Sequence, residues 1–85
     1  MADVIVTFKI MPKDVETDLD KLEEQIKDKI NPERTKREPI AFGLVAINVT
    51  KLIPDAGGEL EAVENKLKSI ENVGQIEVTE VTRSL

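Results

Sequence analysis

The sequence predicts an α+β fold, with four strands and two helices in the order β-α-β-β-α-β. Apolar residues recur at every second position in the predicted strands, which is typical of a sheet with a buried face. In two other segments they recur at every third or fourth position, which is typical of amphipathic helices. The chain has 85 residues, the length of one domain, and we expect residues 1–85 to form a single unit.

The first strand is predicted over residues 4–11 and the first helix over residues 15–30. The strand is apolar on both faces, which indicates a central position in the sheet. Pro12 ends it because proline has no backbone N–H for the ladder, and Asp14 is predicted to cap the helix. The apolar stripe of this helix consists of Val15, Leu19, Leu22, Ile26 and Ile30.

A short second strand is predicted near residues 34–40, with a turn at 40–43. The third strand, over residues 45–52, is clearer because its apolar residues alternate. Pro54 stops it. After a loop at residues 55–58, the second helix is expected to end near Asn72. Its apolar side carries Leu60, Val63, Leu67 and Ile70.

The last strand shows an interruption in its pattern. Gly74 breaks the preceding helix, and Ile76 and Val78 begin the strand. The next apolar residue is Val81 rather than residue 80, so the alternation slips. The strand is either bulged near residues 79–80 or ends there.

Two amphipathic helices can cover only one face of a four-stranded sheet. The most economical packing of these elements is the ferredoxin-like sandwich, in which the sheet is antiparallel and both helices lie on one face. Right-handed crossovers place the first and third strands at the centre of the sheet.

Composition excludes several kinds of function. The chain has no Cys and no His, so it offers no disulfide, thiolate site or imidazole base, and we expect no metal, no cofactor and no catalytic residue. A net charge of −5 and only two aromatics, Phe8 and Phe42, argue against nucleic-acid binding. No apolar run approaches a membrane span and no signal peptide is evident, so we expect the cytoplasm.

Two other functions found on this fold have recognisable sequence requirements. An acyl-phosphate hydrolase needs an Arg in a Gly-rich loop after the first strand, and residues 11–14 contain neither. Gly57 and Gly58 could hold an anion at the N-terminus of the second helix, but Asp55 and Glu59 flank them with the wrong charge, so a plain loop is favoured. A small regulatory domain that dimerises edge to edge and binds a metabolite between helices stays open as an alternative.

Three stretches of the sequence resemble the archaeal elongation factor 1-beta family. They are residues 9–19 (KIMPKDVETDL), residues 39–47 (PIAFGLVAI) and residues 82–85 (TRSL). The family is similar to the C-terminal exchange domain of the eukaryotic factor. The resemblance implies a binding module, not an enzyme, that docks on the elongation factor 1-alpha GTPase in its GDP-bound or nucleotide-free state. It would promote GDP release so that GTP can enter.

The resemblance also implies a docking turn. In the family, the Phe of a Phe-Gly turn packs against the GTPase, and that position here is Phe42, with Ile40 and Gly43 beside it. From the residues alone, Phe42 could equally be part of the core at the start of the third strand.

A second implied contact lies at the C-terminus. Eukaryotic relatives carry a Lys at the next-to-last position, near the magnesium site of the GTPase. Here that position is Ser84, which lies between Arg83 and Leu85. Either Arg83 supplies the cation, or nucleotide is released without one.

A basic cluster interrupts the acidic sequence at Arg34, Lys36 and Arg37. One interpretation is charge on an edge strand. The other is steering toward an acidic partner surface or the nucleotide phosphates, with Arg37 in the docking site.

Overall fold

The computed structural model describes residues 3–54 and 57–83. Four strands form one antiparallel sheet in the order β2-β3-β1-β4, so the first and third strands are central, as predicted. Two helices pack on one face, which confirms the ferredoxin-like α+β fold. The elements are β1 (Asp3–Pro12), α1 (Leu19–Ile30), β2 (Arg34–Pro39), β3 (Val45–Pro54), α2 (Glu59–Lys68) and β4 (Val73–Arg83).

The core lies between the sheet and the two helices. Alternate residues of β1 and β3 face the helices, and the other set lies on the open face of the sheet. Among the described residues, no polar or charged residue is buried. The core cluster contains Val6, Phe8, Ile10, Leu22, Ile26, Ile30, Ile47, Val49, Ile53, Val63, Leu67 and Ile70.

α1 begins four residues later than predicted. Asp18, not Asp14, is its N-cap, and the Asp18 side chain accepts a hydrogen bond from the Lys21 N–H at 3.2 Å. Asp14 instead closes a local turn, because its Oδ1 accepts from the Glu16 N–H at 2.9 Å. The prediction of Asp14 as the cap was therefore wrong.

The start of α1 also changes the role of Val15. The segment before the helix is bonded to another part of the chain, since the Lys13 N–H donates to the Asn72 carbonyl at 3.1 Å. Val15 was predicted to belong to the buried stripe of the helix, but its side chain is 61% exposed.

α2 ends at Lys68, earlier than the predicted end near Asn72. Ser69 follows it, and the Ser69 hydroxyl donates to the Lys66 carbonyl at 2.6 Å. This side-chain bond satisfies a backbone carbonyl at the helix end. Ile70 still packs into the core, which explains why its apolar spacing resembled a further helical turn.

β4 is bulged where the alternation slips. Glu80 pairs with Thr7 and Val78 pairs with Phe8, so Thr79 is the extra residue. The Thr79 hydroxyl donates to the Thr7 carbonyl at 3.3 Å. Of the two alternatives, a bulge or a strand end, the structure shows the bulge, and the strand continues beyond it to Arg83.

β4 begins at Val73 rather than at Ile76, so Gly74 lies inside the strand. The register of the β1–β4 pair shifts a second time beside it. A Cβ at Gly74 would lie 2.9 Å from the Pro12 carbonyl oxygen and 3.1 Å from the Lys13 Cα. Only glycine therefore allows this close approach of the two backbones.

Candidate functional site

The connection between β2 and β3 is a tight turn with Phe42 at its tip. Phe42 (φ 63°, ψ 30°) and Gly43 (φ 77°) both have positive φ angles. The Leu44 N–H donates to the Ala41 carbonyl at 3.3 Å, and the Ile40 N–H donates to the Leu44 carbonyl at 2.8 Å. Positive φ at both central positions is the mark of a type I′ hairpin turn.

Phe42 points away from the rest of the molecule. Its side chain is 94% exposed, so the structure excludes the interpretation of Phe42 as a core residue. The other aromatic residue, Phe8, is completely buried. An aromatic side chain can bury about 150–250 Å² in a contact, and Phe42 keeps nearly all of that surface available.

Val15 lies beside this turn, which the sequence did not indicate. A Cβ at Gly43 would lie 4.0 Å from the Val15 Cγ1 atom, so the two loops are in contact range. Gly43 is exposed and Ile40 is half-buried. One feature of the sequence could have indicated this position of Val15. Asp18 is a second residue able to cap the helix, and a helix that begins after Asp18 leaves Val15 in the preceding loop.

Arg83 lies at the opposite end of the sheet. It pairs with Val4, whereas the Phe42 turn adjoins the start of β3. β3 has 10 residues, so the two ends are separated by about 30 Å. The structure thus does not bring Arg83 and Phe42 together. Ser84 and Leu85 lie outside the described residues.

A shallow groove adjoins the C-terminal end of β4, and Arg83 is part of its wall. The other lining residues are apolar, and Val81 among them is 54% exposed. They are Val4, Val6, Ile53, Pro54, Leu60 and Val81.

The side chain of Arg37 faces α1. Its Nε donates to Glu23 Oε1 at 3.0 Å, and its Nη2 forms an ion pair with Asp20. Hydrogen bonds to Glu23 and then to Asp20 raise the pKa of Arg37, so the guanidinium stays charged. These contacts are all within the chain, and a direct contact of Arg37 with a partner stays a prediction.

The basic cluster is split between the two faces of the sheet. Arg37 pairs with the buried Ile47 on the helix face, whereas Lys36 pairs with Asn48 and lies on the open face. Arg34, which pairs with Thr50, is on the same open face. The three cations therefore do not form one patch.

Among the described residues, the open face of the sheet carries no aromatic side chain, and one pair of its polar side chains is hydrogen-bonded. The Asn48 Nδ2 donates to Glu38 Oε1 at 2.7 Å. Lys9 lies opposite Glu77, and the bulge places Glu80 on the same face as Glu77. This surface has no base-stacking platform.

Other possible sites receive little support. Gly57 and Gly58 are exposed, and α2 begins with Glu59 and Glu61 in its first turn, so an anion there would meet like charge. In the described part of the chain, no three carboxylates are grouped so that they could hold a metal ion. Nor does any helix in residues 3–54 and 57–83 have the length and apolarity needed to cross a membrane.

Comparison with known proteins identifies the family. The EF-1 guanine nucleotide exchange domain matches residues 5–83. The chain is 48% identical over 88 residues to elongation factor 1-beta of Methanothermobacter thermautotrophicus, covering 98% of each protein. It is 42% identical over 86 residues to elongation factor 1-beta of Methanosphaera stadtmanae, again covering 98% of each. For the Thermoplasma acidophilum protein of that name, identity is 40% over 86 residues, covering 96% of this chain and 98% of the relative. The resemblance is confirmed, and the chain belongs to the EF-1 guanine nucleotide exchange domain family.

Proposed function

We propose that this chain docks on the elongation factor 1-alpha GTPase and accelerates the release of its GDP. The GTPase would be bound in its GDP or nucleotide-free state. The observation that carries the proposal is Phe42, which is 94% exposed at the tip of a hydrogen-bonded turn. Family membership supports the exchange role.

An exposed aromatic on a hydrogen-bonded turn suits the role of an interface anchor. Phe loses little rotamer freedom on binding and contributes a large apolar area. Two backbone hydrogen bonds already close the turn, so little further ordering is needed when a partner binds. In this proposal Gly43 supplies the second positive φ angle, and Ile40 supports the base of the turn.

The C-terminal end is proposed as the second contact. Arg83, Ser84 and Leu85 would reach toward the nucleotide and Mg²⁺ of the GTPase, with Arg83 as the candidate cation. Because the Phe42 turn is about 30 Å away along the sheet, a partner engaging both ends would have to span the long axis of the domain.

Such a mechanism needs no catalytic acid or base. Mg²⁺ and the phosphate-binding loop of a GTPase hold the nucleotide phosphates. A partner that disturbs these ligands weakens nucleotide binding, and by linkage the nucleotide weakens binding of the partner by the same factor. We therefore propose a binding module of residues 1–85, which acts in the cytoplasm without direct contact to nucleic acid or membrane.

The test is the rate of GDP release. Elongation factor 1-alpha from a matched source is loaded with a fluorescent GDP analogue and mixed with excess unlabelled nucleotide. Release is followed alone, with the wild-type chain and with Phe42→Ala. Ile5→Ala is the matched control, because it trims an apolar side chain that is 37% exposed on the open face.

Acceleration that is lost in Phe42→Ala and kept in Ile5→Ala would support both the activity and the anchor. Acceleration that survives Phe42→Ala would keep the exchange role and remove Phe42 from the site. If micromolar wild-type chain leaves the release rate unchanged, the proposed function is wrong.

A further inference from the structure

We infer that Val15 and Phe42 form one docking surface, which fits an apolar pocket rimmed by Lys and Arg side chains on the GTPase. We call it the Val15–Phe42 surface, and define it as these two residues with the flanking carboxylates of Asp14, Glu16 and Asp18. The inference rests on the proposed function and extends it to the chemistry of the partner's pocket.

The two apolar residues come from different loops that meet at one end of the sheet. Val15 lies between β1 and α1, and Phe42 lies between β2 and β3. The two loops are neighbours at Gly43, since a Cβ there would be 4.0 Å from Val15 Cγ1, which is ordinary van der Waals contact. Among the described residues, the two most exposed large apolar side chains are Phe42 at 94% and Val15 at 61%.

The exposure of Val15 is built into the loop. The Thr17 N–H donates to the Asp14 carbonyl at 3.3 Å, and the Glu16 N–H donates to Asp14 Oδ1 at 2.9 Å. The Lys13 N–H is tied to the Asn72 carbonyl of another segment. These bonds hold Val15 outside the core, where it contributes little to folding. A contact with another molecule would bury it.

The charge around Val15 indicates what kind of pocket would receive it. Asp14, Glu16 and Asp18 are all exposed, and Lys13 is the one cation in residues 13–18. An acidic rim around an apolar centre is complementary to a pocket with a basic rim. A second copy of this chain would instead bring two acidic rims together, and like charges facing each other oppose association.

The experiment measures GDP release against the concentration of the chain, so that the half-saturating concentration and the maximal rate are separated. Val15→Thr keeps the side-chain shape but replaces a methyl group with a hydroxyl. Glu16→Lys reverses a rim charge, and the Glu16 side chain makes no hydrogen bond within the described part of the chain. Glu24→Lys makes the same charge change in the middle of α1 and is the control. Circular dichroism verifies the fold of each variant.

We expect Val15→Thr to raise the half-saturating concentration about five-fold without changing the maximal rate. Glu16→Lys should raise it by a similar factor, about five-fold, and should weaken its dependence on salt. Glu24→Lys should match the wild type.

If Val15→Thr and Glu16→Lys both match the wild type while Phe42→Ala loses acceleration, the Val15–Phe42 surface is wrong and the proposed function stands. An equal effect of Glu24→Lys and Glu16→Lys would also overturn the inference, because overall charge would then explain the result. If the wild-type chain itself does not accelerate release, both proposals fall.

Discussion

Phe42 holds a backbone conformation that residues with a Cβ rarely adopt. The left-handed region costs a non-glycine residue roughly 1–2 kcal/mol. The side chain is 94% exposed and returns almost no burial energy to the fold. Strained residues of this kind cluster at functional sites. At the scale of the residue, Phe42 is thus explained by binding better than by stability.

We predict that Phe42→Gly is more stable than Phe42→Ala by about 0.5–1 kcal/mol. Glycine relieves the strain of the positive φ angle, and part of the gain is offset by the greater freedom of glycine in the unfolded chain. Both variants should lose acceleration of GDP release. Urea denaturation measures the difference in stability, and equal midpoints would show that Phe42 is not strained.

Arg37 is predicted to contribute to stability, separately from the docking contact predicted for it. Its contacts are with Glu23 and Asp20 of its own chain, so Arg37→Gln should lower the thermal midpoint slightly, and the loss should shrink in high salt. The measurement is thermal unfolding at two salt concentrations. A raised half-saturating concentration for GDP release with an unchanged midpoint would instead place Arg37 in direct contact with the partner.

The sequence could identify these side chains but not their surroundings. Phe42 lies in the sequence between a predicted edge strand and a predicted buried strand. A residue at that point could be either part of the core or exposed in the connecting turn. Its positive φ angle depends on the turn that joins β2 and β3, and Phe in that turn position departs from the usual Asn or Gly. The residue preferences of turns therefore did not predict it.

At the scale of the element, the start of α1 is set by Asp18. We predict that Asp18→Ala costs about 1 kcal/mol of unfolding free energy, because it removes the side-chain partner of a helix N–H group. Asp14→Ala should cost less, since Asp14 bonds only a local turn. Chemical denaturation of the two variants makes the comparison, and a larger loss for Asp14→Ala would contradict the observed cap.

Gly74 is predicted to be required for the β1–β4 pairing. A Cβ at this position would lie 2.9 Å from the Pro12 carbonyl oxygen, and backbone atoms cannot move aside cheaply. Gly74→Ala should therefore cost about 1–3 kcal/mol. Gly57→Ala is the control, since a Cβ there meets nothing within 4 Å. Similar denaturation midpoints for the two variants would rule out the proposed clash.

The periodicity of apolar residues predicted five of the six elements, all but the polar β2, and a single displaced valine indicated either a bulge or a strand end near residues 79–80. It failed at the element ends. Both Asp14 and Asp18 fit an N-cap, and one tertiary bond, from the Lys13 N–H to the Asn72 carbonyl, ties the chain to another segment just before Asp14. Such a bond joins residues far apart in the sequence and leaves no local signal.

At the scale of the whole molecule, the two proposed contacts lie at opposite ends of a body of 41 × 21 × 16 Å. We predict that Phe42→Ala and Arg83→Ala reduce the free energy of docking additively, within about 0.5 kcal/mol, because residues this far apart contact different side chains of the GTPase. Apparent affinities of the two single variants and the double variant test this. A larger departure from additivity would show that the ends are coupled or do not bind together.

Strand alternation decides which groups of neighbouring residues act together. Arg34, Lys36 and Arg37 look like one patch in the sequence, yet the pairing of β2 with β3 places Arg37 on the other face. The predicted fold was sufficient to predict the strand order and the open face of the sheet. It was not sufficient to predict that Val15 lies beside the Phe42 turn, because that contact depends on the paths of two loops.

The bulge at Thr79 has a consequence for the protein at high concentration. β4 is an outer strand of 11 residues, and a regular strand of that length would offer a template on which foreign strands could grow into larger aggregates. The extra residue interrupts the regular spacing of the outward N–H and C=O groups and increases the local twist. An incoming strand could match one side of Thr79 but not both in a single register, so the exposed edge resists propagation of the sheet from one molecule to the next.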